Sequence, residues 1–193
     1  MKKFFFIIML FLSLAFAKNV VIKSTSVVIS SQSQLIIKGS TNVNEFKCHF
    51  NIEEVNNPIP LSFVLKEDRL IFEKALLMLD NSCFDCGSRV INKDFMNLLK
   101  SEEYPKIVLE LKEIKKDSRT DCIVHALIEI VIAGESKSYF IPVELKDDKI
   151  INVTGALNLN ICDFNLEPPK KALGLIVVSD IIKINFDLVV EEK

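Results

Sequence analysis

The feature that most constrains this chain is an apolar–polar alternation with a period of two residues, repeated along most of its length. Apolar side chains take every second position over runs of strand length, and short polar turns separate these runs. This alternation is typical of β-strands with one buried face. The clearest runs lie at residues 46–52, 59–65, 107–111, 139–145, 151–161 and 182–190. The connections have hairpin length and no β-α-β unit is evident, so antiparallel pairing is predicted.

About eight strands joined by hairpins would leave two exposed sheet edges unless the sheet closed on itself. We therefore predict an all-β fold, an antiparallel up-and-down β-barrel of about eight strands. A β-sandwich is the alternative. The interior of a barrel of this size is either filled by its own side chains or able to hold one small ligand.

One segment, DFMNLLKSEEYPKI at residues 94–107, breaks the alternation. Phe95, Met96, Leu98 and Leu99 have the spacing of one short α-helix. Tyr104-Pro105 is predicted to end this helix, because proline lacks an N–H and favours an extended residue before it.

The N-terminus has the pattern of a secretory signal peptide. Lys2 and Lys3 precede an apolar run at 4–14, and Ala15-Phe16-Ala17 is a small-x-small cleavage pattern. We predict a signal peptide at 1–17 and a single mature domain at 18–193, located in the periplasm or secreted. No transmembrane span is expected after cleavage.

The charge balance argues against nucleic acid as a partner. Cleavage would remove two of the 24 basic residues and none of the 26 acidic ones, leaving a formal charge of −4. With no basic run in the sequence, a nucleic-acid interface has no support.

The chain has five cysteines, at positions 48, 83, 86, 122 and 162. Disulfides are expected in an oxidising compartment, and an odd number leaves one thiol free, bound, or paired between the chains of a homodimer. Cys83-Phe84-Asp85-Cys86 is a C-x-x-C motif, but a redox pair would need a helix start within a β-α-β unit. Zinc would need more ligands, with Cys48, His49 and His125 the other candidates.

The sequence also lacks the combination of residues that hydrolytic catalysis needs. His49 and His125 are the only histidines, and no Gly-x-Ser-x-Gly motif accompanies them. We therefore predict no catalytic residues and no enzyme activity.

Several segments, taken in order, resemble the YceI-like family of exported, lipocalin-like barrels that are associated with polyisoprenoid lipids. They are Gly39–Cys48, Asp94-Phe95 followed by Tyr104-Pro105, Ile130–Lys137, Asp163-Phe164, Pro168-Pro169, Gly174 and Asp180. The chain departs from the family around Asp163-Phe164, where an arginine and a glycine are common and Cys162 and Asn165 stand here.

The resemblance implies a non-enzymatic protein that holds a polyisoprenoid or isoprenoid quinone inside the barrel, without a further cofactor or metal. It also implies a disulfide between Cys48 and Cys86. The short helix would then close one barrel end, with Phe95, Leu98 and Leu99 inward, either as a lid or as the seal of a filled core. The candidate lining residues are Phe46, Phe50, Phe63, Phe95, Leu109, Ile130, Val143, Leu159 and Phe186.

Three alternatives stay open from the residues. The first is a thiol-redox or metal-binding protein that uses Cys83 and Cys86. The second is a barrel with a filled core whose surface binds a protein partner. The third concerns Asn158 and Asn160, which either form a polar mouth or are outward, solvated residues.

Overall fold

A computed structural model describes residues 21–117, 120, 122–147, 150–171 and 175–193. The predicted signal peptide at 1–17 lies outside the described residues, and so does Gly174, one of the residues on which the resemblance rests. Within the described part, no helix is long and apolar enough to cross a membrane.

The described residues form two sheets, and the larger one closes into a ring. The ring order is β1-β4-β5-β7-β8-β9-β10-β13, and β13 pairs back onto β1 through Ile29 and Val190. All pairs in the ring are antiparallel, which confirms the predicted barrel. The strands are β1 Ile22–Ile29, β2 Gln34–Ser40, β3 Glu45–Phe50, β4 Ile59–Lys66, β5 Arg69–Asp80, β6 Phe84–Asp85, β7 Lys106–Lys116, β8 Ile123–Ile132, β9 Glu135–Asp147, β10 Ile151–Asn160, β11 Lys170–Lys171, β12 Ile176–Val177 and β13 Ile181–Glu192.

The chain leaves the up-and-down order once, between β1 and β4. Strand β13 pairs with β1 near its C-terminal end and with β2 along its N-terminal half. A branch of β2, β3 and β6 therefore extends the sheet beyond the ring. The sequence pattern did not reveal β1, although this strand closes the barrel.

Strands β9 and β10 pair along only half their length. Their last pair is Val143 with Gly155, and the two strands separate beyond it. Pro142, the residue of β9 next to Val143 on the unpaired side, has no N–H that could donate a hydrogen bond to β10. The short 3-10 turn Ile161–Phe164 packs beside β9 there, and the rings of Phe164 and Tyr139 stack with centroids 6.4 Å apart.

The α-helix, α1, spans Arg89–Leu98 and begins earlier than the sequence predicted. Ser88 caps it, since its hydroxyl accepts a hydrogen bond from the Ile91 N–H at 3.2 Å. The helix ends before Lys100, whose φ of 51° lies in the left-handed region, so the prediction that Tyr104-Pro105 ends it was wrong. The predicted inward residues are confirmed: Leu99 is buried, and Phe95 and Leu98 pack on the core.

The barrel has two unlike ends. At one end, called the floor, α1 and the 3-10 turns pack against the strand ends. At the other end, called the mouth, lie the β4–β5 turn at Glu67-Asp68, the start of β1 and the end of β13. The candidate site lies between these two ends, towards the mouth.

Candidate functional site

Cross-strand register identifies the side chains that face into the barrel. Val124 pairs with Val143 and Ala126 pairs with Ile141, and all four are buried. The same face continues through Gly155, which pairs with Val143 on β9 and with Phe186 on β13. Every second residue on these strands therefore points inward.

The floor half of the barrel is filled. Leu159 and Phe164 are 0% exposed, and Ile130 is 3% exposed. Aromatic rings fill the space beneath α1, with the Phe84 centroid 4.9 Å from that of Phe50 and 5.1 Å from that of Phe95. This half is therefore packed as a conventional core.

The mouth half is different, because its inward side chains keep part of their accessible surface. On the β8–β9 side, a cluster built on Val124, Ala126, Ile141 and Val143 is buried. On the facing β4–β5 side, Phe63 and Phe72 contact each other with centroids 5.5 Å apart but pack against neither buried cluster. Both rings are only partly buried. These two walls face each other across the mouth half of the barrel, and we call the region between them the cup.

More inward apolar residues face the cup than the candidate lining residues predicted from the sequence. They share the inward parity of their strands and are partly buried rather than buried: Leu61, Leu70, Ile114, Leu145, Val153, Leu188 and Val190. The period-two pattern marks most of them as inward, although the register shifts in β5 and β7 hide Leu70 and Ile114 from it. It does not separate the filled half of a barrel from the cup.

The inner end of the cup is set by a glycine. A Cβ atom on Gly155 would lie 2.4 Å from Cζ of Phe186, so the ring lies directly across the glycine backbone. Phe186 is partly buried and packs on the β8–β9 cluster. The glycine thus leaves room for this ring, which packs on the β8–β9 cluster beside it.

Polar groups appear at the mouth. The Thr25 hydroxyl donates a hydrogen bond to Oε1 of Glu192 at 2.6 Å. Both residues share the inward parity of their strands, because Thr25 pairs with Leu61 and Glu192 pairs with Val27. The cup is therefore apolar inside and polar at its edge.

The structure divides the nine candidate lining residues between core and cup. Those that belong to the floor core or pack on it are Phe46, Phe50, Phe95, Leu109, Ile130 and Leu159. Val143 and Phe186 belong to the β8–β9 side of the cup, and Phe63 to the facing side. The lining role of all nine stays a prediction.

Two cavities lie on the outer surface of the barrel. One of about 500 Å³ lies where β9 and β10 separate, and it is lined by outward residues such as Ile36, Pro142 and Asn185 together with Val143, Gly155 and Phe186 of the inward face. The other, of about 220 Å³, adjoins it through Gln34 and Ile36. The larger cavity therefore shares Val143 and Phe186 with the β8–β9 side of the cup.

The disulfide implied by the resemblance is present. Cys48 is bonded to Cys86, and both are buried in the floor core. Cys83 is a free thiol, so Cys83 and Cys86 do not form a dithiol pair. Burial raises the pKa of the Cys83 thiol, and the carboxylates of Asp80 and Glu54 add to this effect, while a hydrogen bond with Ser82 acts in the opposite direction. A raised pKa disfavours the reactive thiolate.

The remaining polar candidates do not assemble a site. Among the described residues, no group of three or more His, Cys, Asp or Glu side chains is placed to hold a metal ion. His125 lies outside the barrel, with Nε2 3.0 Å from Oδ2 of Asp117. Asn158 and Asn160 lie near the floor end and point outward, and Asn160 caps the turn at Cys162 through a 2.9 Å hydrogen bond. They therefore form no part of the mouth.

Comparison with known proteins gives a family and a set of similar folds. The family model described as "YceI-like domain" matches residues 73–190. No curated protein matches the chain significantly.

Three similar solved structures share the fold at low identity. A polyisoprenoid binding domain from Saccharophagus degradans, implicated in plant cell wall breakdown, is 14% identical with a TM-score of 0.61, covering 88% of this chain and 99% of that one. BcnA from Burkholderia cenocepacia is 16% identical with a TM-score of 0.56, covering 82% and 96%. A YceI protein from Campylobacter jejuni is 18% identical with a TM-score of 0.52, covering 63% and 73%.

Proposed function

Because this chain belongs to the YceI-like domain family, matched over residues 73–190, we propose that it is a non-enzymatic lipid-binding protein. The ligand is a long apolar molecule, a polyisoprenoid or an isoprenoid quinone, whose chain enters the cup. The Saccharophagus degradans domain, described as polyisoprenoid binding, has the same fold and supports this choice of ligand.

The observation that carries the proposal is the pair of apolar walls in the mouth half that do not pack on each other. Phe63 and Phe72 retain accessible surface although they face the barrel interior. Burial of a ligand methylene is worth about 0.8 kcal/mol, so apolar contact alone supplies useful affinity. The filled floor half stops the chain near Phe186.

We also propose that the protein is exported and that processing removes residues 1–17. The Cys48–Cys86 disulfide supports this, because disulfides persist in oxidising compartments. The intact mass of the protein from a periplasmic or secreted fraction tests it. A mass that starts at Lys18 is expected, and a mass that retains the apolar run would contradict processing.

Native mass spectrometry of protein purified without detergent tests the ligand. We expect an adduct whose mass, after organic extraction, is that of a polyisoprenoid or a quinone. Phe63→Asp should abolish the adduct because it places a charge inside the cup. Val64→Asp is the matched control, since the next residue on β4 points outward and its variant should keep the adduct.

Circular dichroism of both variants separates loss of binding from loss of folding. A folded Phe63→Asp protein without the adduct supports the cup. A protein that carries no lipid from any host, even after incubation with polyprenol and quinone vesicles, would refute the proposed function.

A further inference from the structure

A row of basic residues crosses four adjacent strands at the mouth. Lys66 pairs with Arg69, Arg69 pairs with Lys115, and Lys115 pairs with His125, so β4, β5, β7 and β8 present these side chains in line on the outer face. Like charges placed directly opposite each other on neighbouring strands destabilise a sheet. We call these four residues the basic row.

The two lysines of the row have no carboxylate partner among the described residues. Arg69 is paired, with Nη1 3.6 Å from Glu113 and Nε 3.9 Å from Asp68, and His125 is paired with Asp117. Lys66 and Lys115 are exposed and form no ion pair with a described residue. Their charges are therefore available to an external anion.

Further cations lie at the same edge of the mouth. Lys23 is the second residue of β1 and Lys116 ends β7, and both are exposed. The acids at this edge are Glu67, Asp68, Glu113 and Asp117, and the last three pair with Arg69 or His125. Five lysine and arginine side chains therefore face these four carboxylates, which is an excess of one positive charge on a chain whose net charge is −2.

Exposed aliphatic side chains adjoin the basic row. Leu65, next to Lys66, is 60% exposed, and Val21 and Ile22 on the neighbouring strand are 70% and 51% exposed. Ile22 pairs with Val64, which places it beside the β4–β5 turn. Cations and aliphatic side chains at one edge match a surface that is anionic outside and apolar beneath.

We propose that this edge of the mouth, formed by Lys66, Lys115, Leu65 and Ile22, docks on an anionic phospholipid bilayer. The inference rests on the proposed function, because a long apolar ligand must pass between a bilayer and the cup without crossing water. The cup also runs only about four or five residues along the strands, or roughly 15 Å. The part of a longer chain that extends beyond the cup leaves through the mouth and is covered by the bilayer.

The chain provides a matched control at the other end of the barrel. Lys183 pairs with Lys38, and Lys38 pairs with Lys47, so a second row of lysines crosses β13, β2 and β3 near the floor. Val43 lies on the adjoining turn and is 66% exposed. This end has the same chemistry but faces the packed core instead of the cup.

Flotation with vesicles of 30% phosphatidylglycerol in phosphatidylcholine tests the docking edge. Lys66→Gln/Lys115→Gln should weaken vesicle binding roughly 30-fold, because each lysine near an anionic surface contributes on the order of 1 kcal/mol. Lys38→Gln/Lys47→Gln removes the same charge and should stay within about twofold of the wild type. Leu65→Gln should also weaken binding, whereas Val43→Gln should not.

Failure of the wild-type protein to float would overturn the docking edge. An equal loss of vesicle binding in both double variants, or a loss confined to the floor-end variant, would also overturn it. Native mass spectrometry on the same samples distinguishes this from a failure of the cup. Lipid adducts without flotation leave the carrier function intact and refute docking. Flotation that depends on Lys66 and Lys115 without any lipid adduct supports docking and refutes the cup.

Discussion

Two inward side chains of the same barrel, Leu159 and Phe63, differ in what they contact. Leu159 is fully buried in the floor core, whereas Phe63 is partly exposed and touches the Phe72 ring in the cup. The sequence marks both as inward, because each lies on the apolar parity of an alternating strand. Accessibility depends on what packs from the other side of the barrel, and alternation along one strand carries no information about that.

The two residues should therefore respond differently to truncation. We expect Leu159→Ala to lower the free energy of unfolding by about 2–5 kcal/mol, because it leaves a cavity in a packed core. Phe63→Ala should lower it by less while weakening lipid binding, because that side chain contacts solvent in the empty protein. Urea unfolding of both variants checks the difference, and a larger stability loss for Phe63→Ala would place this ring in a filled core.

Asp80 offers a pH-dependent prediction at the floor end. Hydrogen bonds from the Ser82 hydroxyl and N–H, at 2.6 and 3.0 Å, lower the pKa of the Asp80 carboxyl, and Lys106 adds to this effect. A carboxyl whose pKa is lowered on folding stabilises the protein above its unfolded pKa, and this contribution is lost as the pH falls through the folded pKa.

Asp80→Ala should thus cost about 1 kcal/mol at pH 7, and the difference from the wild type should shrink below about pH 4. Urea unfolding measured between pH 7 and pH 3 checks this. Asp80→Asn is the control, because it keeps an acceptor for Ser82 without an ionisable group. A cost for Asp80→Ala that is constant with pH would contradict the role of the charge.

At the scale of elements, the strands with one clearly apolar face could be predicted and the others could not. Strand β4 was expected at residues 59–65 and spans Ile59–Lys66. Strand β1 was missed because its inward face carries Lys23 and Thr25 at the mouth, where a polar side chain is not buried. The start of α1 was missed because Ser88 caps it without the acidic residue three positions later that completes a capping box.

The element that depends most on a single covalent link is the segment leading into α1. The Cys48–Cys86 disulfide joins β3 to the residues just before the helix across a separation of 38 residues, so it removes conformational freedom from the unfolded chain. Strand β6, which it anchors, has two residues and pairs with β3 through Phe84 and Asp85.

We expect Cys48→Ala/Cys86→Ala to lower the free energy of unfolding by about 2–5 kcal/mol. Cys83→Ala, which removes the neighbouring free thiol, should have a much smaller effect. Urea unfolding with and without dithiothreitol provides the readout: the reductant should destabilise the wild type and the Cys83 variant but leave the double variant unchanged. A wild-type protein that is indifferent to reductant would show that the link adds no stability.

At the scale of the whole molecule, the closed barrel and its short helix could be predicted from alternation and turn spacing. The division into a filled half and a cup could not be predicted. It arises from side chains that pack across the barrel interior and from the aromatic ring of Phe186, which lies over Gly155. This asymmetry distinguishes the floor end, where the inward side chains form the larger buried cluster, from the mouth end. In the function proposed above, the ligand enters through the mouth.

Photo-crosslinking with a diazirine-bearing polyisoprenoid, followed by peptide mapping, tests the location of the ligand most directly. Labels are expected on inward residues of β4, β5 and β13, such as Phe63, Phe72 and Phe186, and unlabelled polyisoprenoid should compete with them. Labels confined to the outer cavity, at Ile36 and Pro142, or labelling that no competitor reduces, would contradict a ligand in the cup.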